Sequence, residues 1–231
     1  MTTDTEKLLQ SLELVPKDNF TKYGGGWEGR ISVALIDAVF SMGARYETAN
    51  GKGVGPRVVA LSNGWMENET DPSNNLVRLL ELGEEPIRAE MGEGKVVPGH
   101  NDERFKSIAV LEAAQNFVDL GIVSAEDLEA FRTSSEDNGN KLMSAYTGPV
   151  GLGKVTFEYF LMLLGVPGVK ADRMINRFVE RSLGTDKGAR EQIIAAHEEW
   201  LKQDGNTASL IEFEHAIWRY ESERIHPNTE E

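Results

Sequence analysis

The chain has 231 residues, 40% of them hydrophobic and 27% charged, a composition typical of a soluble globular protein that can bury a core. The absence of cysteine excludes disulfides, thiolate zinc sites, iron–sulfur clusters and cysteine nucleophiles. The net charge of −14 argues against a nucleic-acid partner, because basic side chains drive binding to phosphates.

Membrane and secretory segments are not predicted. The sequence has no run of about 18 apolar residues that could span a bilayer. The first residues, Met-Thr-Thr-Asp-Thr-Glu, are polar and acidic, unlike a secretory signal peptide. We therefore expect a cytoplasmic protein with no membrane partner.

The first half of the chain is predicted to be helical. Residues 31–42 are apolar on nearly all sides, which predicts a buried helix. Helical spacing resumes at 57–65 after a glycine-rich break. The Asp71-Pro72 pair is a typical helix start, and 76–82 continues that helix. The stretch 83–101 is rich in Gly, Pro and Glu, and this composition predicts a loop.

A second set of helices is predicted from residue 103 onwards. Apolar residues recur with a spacing near 3.6 in 103–120, and Gly121 ends the pattern. The predicted buried face consists of Phe105, Ile108, Leu111, Ala114, Phe117 and Val118. Ser124 and Asp127 resemble a capping box that opens a helix at 128–132, and 134–140 is typical of a polar turn.

The last part of the chain is predicted to hold five further helical segments. They span 142–146, 155–164, 172–182, 187–203 and 206–223, and Gly184 is predicted to end the third of them. Alternating strand patterns are lacking throughout, so the predicted fold class is all-α. No repeat or linker divides the sequence. We expect one helical domain over 1–231, with a core at about 30–183, C-terminal helices at 187–223 and a frayed tail at 224–231.

The segment Gly148-Pro-Val-Gly-Leu-Gly-Lys-Val-Thr156 carries the strongest functional signal. A Gly-x-Gly turn that opens a helix presents backbone N–H groups, which favour an anion. One interpretation is a phosphate-binding loop of a nucleotide-binding protein. This motif requires a hydroxyl after the lysine, where the chain has Val155, and a buried strand before it, which 142–146 does not resemble.

The other interpretation is a helix-hairpin-helix. Residues 142–146 would end one helix, and 155–164 would form the next. Gly151 and Gly153 would let a phosphate approach the backbone, Leu152 would insert into the core, and Lys154 would add a positive charge. Such a hairpin holds DNA by its backbone without distinguishing its sequence.

The distribution of charge weakens the objection that an acidic chain cannot bind DNA. Residues 148–190 contain seven basic and four acidic side chains, so this stretch carries +3 and the rest of the chain −17. The motif that favours an anion therefore lies in a basic stretch. A strongly acidic remainder also fits a protein partner.

The order of these motifs resembles the helix-hairpin-helix DNA glycosylase superfamily, the endonuclease III-like base-excision repair enzymes. In that family, a hairpin of the form Leu-Pro-Gly-Val-Gly-x-Lys-Thr-Ala precedes an apolar helix and then Val-Asp-Thr-His-Val-x-Arg. The chain has Pro149-Val-Gly-Leu-Gly-Lys-Val-Thr156 and Ala171-Asp-Arg-Met-Ile-Asn-Arg177 at these places. The resemblance covers about 30–183, where 31–45 and 104–120 are similar to the family's core helices.

The chain departs from the family pattern at four points. The hairpin begins Gly-Pro-Val-Gly rather than Leu-Pro-Gly-Val-Gly. Met174 replaces the histidine, Val155 stands where bifunctional members have a Schiff-base lysine, and the cysteine ligands of an iron–sulfur cluster are absent. The resemblance thus implies a monofunctional glycosylase that has no cofactor or metal, or a non-catalytic module that binds DNA or a protein.

The resemblance also implies roles for single residues. Asp172 would be the catalytic carboxylate that stabilises an oxocarbenium-like state while the base leaves; the alternative is a simple helix cap. The implied DNA-backbone contacts are Gly151, Leu152, Gly153, Lys154, Thr156 and Arg173. Trp27 and Tyr46 would line a pocket for a flipped base, with Tyr23 and Trp65 as further candidates, although aromatic residues are more often core.

Overall fold

The computed structural model of the chain describes residues 3–46, 53–66, 71–96 and 104–225. These residues form twelve α-helices and a 3₁₀ helix at Lys17–Thr21, and no strand occurs within them beyond one isolated bridge between Lys95 and Phe105. The predicted all-α class is therefore confirmed. In chain order, the α-helices are α1 (Asp4–Leu12), α2 (Ile31–Phe40), α3 (Val54–Met66), α4 (Leu76–Leu82), α5 (Glu84–Met91), α6 (Lys106–Asp119), α7 (Ala125–Ser134), α8 (Asn138–Thr147), α9 (Lys154–Leu163), α10 (Arg173–Leu183), α11 (Ala189–Trp200) and α12 (Leu210–Ile225).

The chain divides into two compact units. The first consists of residues 1–25 and 166–231, and the second of residues 26–165. Within the ranges that the structure describes, no helix is both long and apolar enough to cross a membrane. The single domain expected over 1–231 stays a prediction.

Helix α2 is the centre of the 26–165 unit. Every one of its residues is buried, and α3, α4, α6 and α9 all contact it. The predicted buried helix at 31–42 is confirmed, two residues shorter at its C-terminal end.

A buried lysine of α6 contacts the C-terminal end of α2. The Nζ atom of Lys106 lies 2.9 Å from the carbonyl oxygen of Phe40 and donates also to that of Met42. Burial lowers the pKa of Lys106 to about 8.

The loop predicted at 83–101 is wrong for its first half, which forms α5. Gly83 and Gly92 take positive φ angles on either side of this helix, and Ile87 and Met91 are buried one turn apart. The proline in α5 occupies the first turn, where its missing N–H has no intrahelical partner to lose. Gly, Pro and Glu therefore gave α5 the composition of a loop.

Two helix starts in this unit test the predicted caps. Asn75, rather than Asp71, caps α4, because its side chain accepts a hydrogen bond from the N–H of Arg78 at 3.0 Å. The predicted capping box of Ser124 and Asp127 is confirmed at the start of α7. Helix α8 begins within the polar turn predicted at 134–140, since the buried Asn138 donates to the carbonyl oxygen of Phe131.

Helix α6 buries a different face from the predicted one. Ala114 and Phe117 are buried as expected, but Ile108 and Leu111 are only half-buried. The other buried apolar residues of α6 are Ala109, Val110 and Ala113. Helix α6 packs against α2, α4, α5 and α8, and small side chains on this face allow the neighbouring helices to approach closely.

The other unit is built from α1, the 3₁₀ helix and α10 to α12. Helix α12 packs against α10 and the 3₁₀ helix, and α11 packs against α1. Phe20 stacks on Trp200 with ring centroids 4.9 Å apart. Gly184 ends α10 in the left-handed region, as the sequence predicts. Helix α1 has its own capping box, formed by Thr3 and Glu6.

Candidate functional site

The glycine segment forms a bend between two helices of the 26–165 unit. Helix α8 ends at Thr147, the chain turns over 148–153, and α9 begins at Lys154. A phosphate-binding loop requires a strand before the bend. The structure places a helix there, so this local context does not fit the nucleotide-binding alternative and fits a helix-hairpin-helix.

Apolar side chains hold the bend in place. Leu152 is only 7% exposed and joins the core of the 26–165 unit. The buried ring of Tyr146 in α8 lies 5.5 Å from the rings of both Phe157 and Phe160 in α9. Burial raises the pKa of Tyr146. The predicted insertion of Leu152 into the core is therefore confirmed.

Two glycines shape the backbone of the bend in different ways. Gly151 has a φ of 91°, a conformation that glycine adopts without strain. Gly153 has an ordinary extended backbone, and a Cβ atom built on it would meet nothing within 4 Å. The Thr156 hydroxyl, implied as a DNA contact, donates to the carbonyl oxygen of Gly153 at 2.8 Å and accepts from its N–H at 3.3 Å. This hydroxyl is thus engaged in capping α9.

The outer surface of the bend is open to solvent. The side chain of Lys154 is 70% exposed, and its Nζ atom lies 3.8 Å from Glu158 Oε1, at the long end of an ion pair. Val150 and Val155 are exposed beside it. The N–H groups of the first residues of α9 have no intrahelical acceptor. Backbone N–H groups without an intrahelical acceptor and an exposed lysine therefore occupy one turn.

Asp172 lies in the other unit and caps α10. One carboxylate oxygen accepts hydrogen bonds from the N–H groups of Met174 at 2.8 Å and Ile175 at 3.3 Å. The second oxygen accepts from the indole N–H of Trp218 at 3.0 Å. The side chain is half-buried. These bonds match the cap alternative, and they engage both oxygens of the proposed catalyst.

A second carboxyl group shares the surroundings of Asp172. Glu214 is buried, and burial together with the charge of Asp172 raises its pKa to about 8, against the opposing influence of Lys170. The rings of Tyr23 and Trp218 flank His215, with centroids 5.2 and 6.0 Å away. Burial lowers the pKa of His215. We call Asp172, Glu214 and Trp218 the carboxyl cluster.

Comparison with known proteins assigns the chain to a family. Residues 7–222 match the family model described as a domain of unknown function, DUF8548. The chain belongs to this family. No curated protein and no solved structure matches it. The family description names no activity.

The predicted pocket aromatics of this DUF8548 chain meet at a buried acid. Asp37 in α2 is fully buried, and its Oδ2 atom accepts from Trp27 Nε1 at 2.7 Å and Tyr46 OH at 2.9 Å. Ser41 donates to the other oxygen at 2.9 Å. Trp65 is buried in the core. The polar ends of Trp27 and Tyr46 therefore hold a carboxylate, which fits an internal structural role.

The arginines of α10 fall into two groups. Arg173 is exposed at the first position of the helix, as expected for a phosphate contact. Arg173 and Arg177 do not pair with Glu180 of the same helix among the described residues. Arg181 donates instead to the buried carboxylate of Glu221 in α12.

Three buried acids, Asp37, Glu214 and Glu221, were missed by the sequence interpretation. Only Asp37 had a signal, since an acidic residue inside the apolar run of α2 requires a buried partner. The Nε2–H of His197 donates to the carbonyl oxygen of Ala208 at 2.9 Å, while His100 and His226 lie outside the described residues. The described part of the chain contains no cluster of three or more metal-binding side chains.

Proposed function

We propose that this protein binds the sugar–phosphate backbone of DNA through the bend between α8 and α9. Gly153 carries the proposal. Its extended backbone needs no glycine, and nothing within 4 Å would contact a Cβ atom there. The open space in front of the bend would let a phosphate approach the backbone closely.

The neighbouring residues supply the attraction. The first N–H groups of α9 are without intrahelical acceptors, and the helix dipole adds a partial positive charge at this end. Lys154 is exposed next to them. Residues 138–157 contain two lysines and no acidic residue, in a chain with 38 Asp and Glu, and the acid that follows them, Glu158, lies 3.8 Å from Lys154 Nζ. The local charge thus favours a polyanion although the net charge does not.

Fluorescence anisotropy with a labelled DNA duplex tests this proposal. Lys154→Glu should weaken binding at least tenfold for unrelated sequences and lower the salt dependence by about one phosphate contact. Lys202→Glu is the matched control, because the Lys202 side chain is 67% exposed and also pairs with a nearby glutamate, Glu199 in the last turn of α11. Equal affinity of the two variants would contradict the proposal.

A second pair of variants isolates Gly153. Gly153→Ala should weaken DNA binding several-fold without loss of stability, because the new methyl group would occupy only the space reserved for the phosphate. Gly139→Ala provides the control, since a Cβ atom there also meets nothing within 4 Å. Full DNA affinity of Gly153→Ala would remove the observation on which the proposal rests.

Hydrolysis of an N-glycosidic bond, on a glycosylase-like helical fold, is the second candidate function. The carboxyl cluster favours it, because burial and the charge of Asp172 raise the pKa of Glu214 to about 8 and so favour a protonated acid beside a second carboxyl group. The Asp172 carboxylate could stabilise an oxocarbenium-like state or activate water at C1′. The hydrogen bonds to Asp172 would then orient the carboxylate.

Release of a base from modified duplex DNA, detected as alkali-labile abasic sites, tests this candidate. Activity lost in Asp172→Asn with DNA affinity retained would support it. Absence of base release with normal salt-sensitive binding would leave the bend as a non-catalytic DNA-binding element. The two outcomes separate the catalytic proposal from the binding proposal.

A further inference from the structure

We propose that three arginines between α10 and α12 form a binding site for a phosphate group. Arg177, Arg181, Glu221 and Arg224 line a concavity with a volume of about 370 Å³, which we call the arginine concavity. This volume is within the usual range of small-molecule sites. The inference does not rest on DNA binding by the bend, because every residue in it belongs to the other unit.

Glu221 fixes two of the three guanidinium groups. Its side chain is only 3% exposed, and one of its oxygens accepts a hydrogen bond from Arg181 Nη2. Both oxygens lie 3.2 Å from Arg224 Nη1. A buried carboxylate that accepts from two arginines holds them in defined positions before any ligand arrives, which reduces the entropy lost on binding.

Aromatic rings provide additional support for the same two arginines. The Arg181 guanidinium lies 5.3 Å from the ring centre of Phe178 and 5.7 Å from that of Tyr220. The Arg224 guanidinium lies 5.9 Å from the ring of Tyr220. These cation–π contacts restrict the side chains and leave N–H donors in the plane of each guanidinium.

The charge of the concavity is unbalanced. Three arginines and one glutamate leave a formal charge of +2 in a chain whose net charge is −14. Arg177 forms no hydrogen bond or ion pair with any residue that the structure describes, and Glu180 on the same helix does not pair with it. Glu221 already accepts from Arg181 and Arg224, so it is not free to pair with Arg177. The third positive charge therefore adds electrostatic repulsion among the arginines, which folding alone does not require.

A phosphate group matches this arrangement. Its dianion would neutralise the charge of +2, and planar guanidinium groups bind phosphate oxygens through paired hydrogen bonds. The ligand could be free phosphate or a phosphomonoester, since both present the same terminal oxygens. We assign this shared chemistry to the site.

Isothermal titration calorimetry of the full chain with inorganic phosphate and with phenyl phosphate, at constant ionic strength in chloride, tests the assignment. Arg177→Ala should weaken binding of the preferred anion at least tenfold. Its melting temperature without ligand should be unchanged or slightly higher, because Arg177 has no partner to lose in the described structure and its charge is repelled by the other two arginines. Arg219→Ala is the control: it removes the same charge from α12, where Arg219 pairs with Glu223 outside the concavity.

Arg177→Lys distinguishes paired hydrogen bonding from charge alone. We expect it to bind more weakly than the wild type and more tightly than Arg177→Ala. Tighter binding of phenyl phosphate would assign an esterified ligand, and tighter binding of inorganic phosphate the free anion. Failure of the wild type to bind either anion, or equal weakening in Arg177→Ala and Arg219→Ala, would overturn the proposal.

Discussion

The bend between α8 and α9 differs from the carboxyl cluster in how its polar groups are exposed and hydrogen-bonded. At the bend, the apolar side chain of Leu152 is buried, whereas the neighbouring Lys154 is exposed. In the carboxyl cluster, both Asp172 oxygens accept hydrogen bonds and Glu214 is buried. A polar group without an internal partner is available to a ligand, whereas a group with all its partners usually maintains the fold. The comparison favours the bend as the binding element.

The largest expected effect is a loss of stability with rising pH that depends on Glu214. Its pKa rises from 4.5 to about 8 on folding, so the folded protein retains a proton that the unfolded chain has lost. Stability should therefore fall by several kcal/mol between these pH values. Urea unfolding of Glu214→Gln should lack this decline, while His215 and Lys106 titrate in both proteins. Parallel pH profiles would show that Glu214 is not held protonated.

Loss of the buried side chain beneath the bend should be next in size. Leu152→Ala should destabilise the protein by about 2–5 kcal/mol, because it leaves a cavity in the core. Val150→Ala, at a residue that is 37% exposed in the same bend, should change stability by less than about 1 kcal/mol. Chemical unfolding measures both. A small effect of Leu152→Ala would mean that the bend is not anchored by its core contact.

Asp172 should make a measurable contribution to stability even if it is not catalytic. Asp172→Ala removes the cap of α10 and leaves the Trp218 N–H without its acceptor, at a cost of about 1–3 kcal/mol. Asp172→Asn keeps one oxygen for the cap and should cost less. Removing the charge should also lower the pKa of Glu214, which carboxyl NMR can follow. Unchanged stability in Asp172→Ala would argue for a functional constraint instead.

The smallest expected effect is a difference in stability between alanine substitutions at the two glycines of the bend. Gly151→Ala should cost about 1–2 kcal/mol, because its φ of 91° is unfavourable for any residue with a Cβ atom. Gly153→Ala should be close to neutral in stability, since its backbone is extended and the space is open. Thermal unfolding of both variants tests this difference. Equal destabilisation would mean that the bend is more constrained at Gly153 than its geometry indicates.

Local patterns in the sequence predicted much of the helical content and the bend. The apolar run of α2, the cap at Ser124 and the glycine at the end of α10 depend on nearby residues, so the sequence alone was sufficient. Helix α5 was missed because only two of its residues, Ile87 and Met91, are buried. The rotated face of α6 depends on which helices pack against it, which periodicity does not specify.

The candidate sites were less predictable for the same reason. Lys154 and Leu152 follow from a contiguous motif, and the structure places them as expected at the bend. Glu214 and Glu221 become distinctive only because α12 packs against α10 and its preceding segment. Residues 40 or more positions apart, such as Asp172 and Glu214 or Arg181 and Glu221, are brought together by tertiary packing alone.

The lysine beneath the C-terminal end of α2 offers an internal reporter of local opening. Lys106 is only 6% exposed, and its ammonium group is occupied by two carbonyl oxygens. An amine-reactive reagent cannot reach it until α6 separates from α2. The rate at which this side chain is acylated, compared with exposed lysines, therefore measures how often the centre of the 26–165 unit opens.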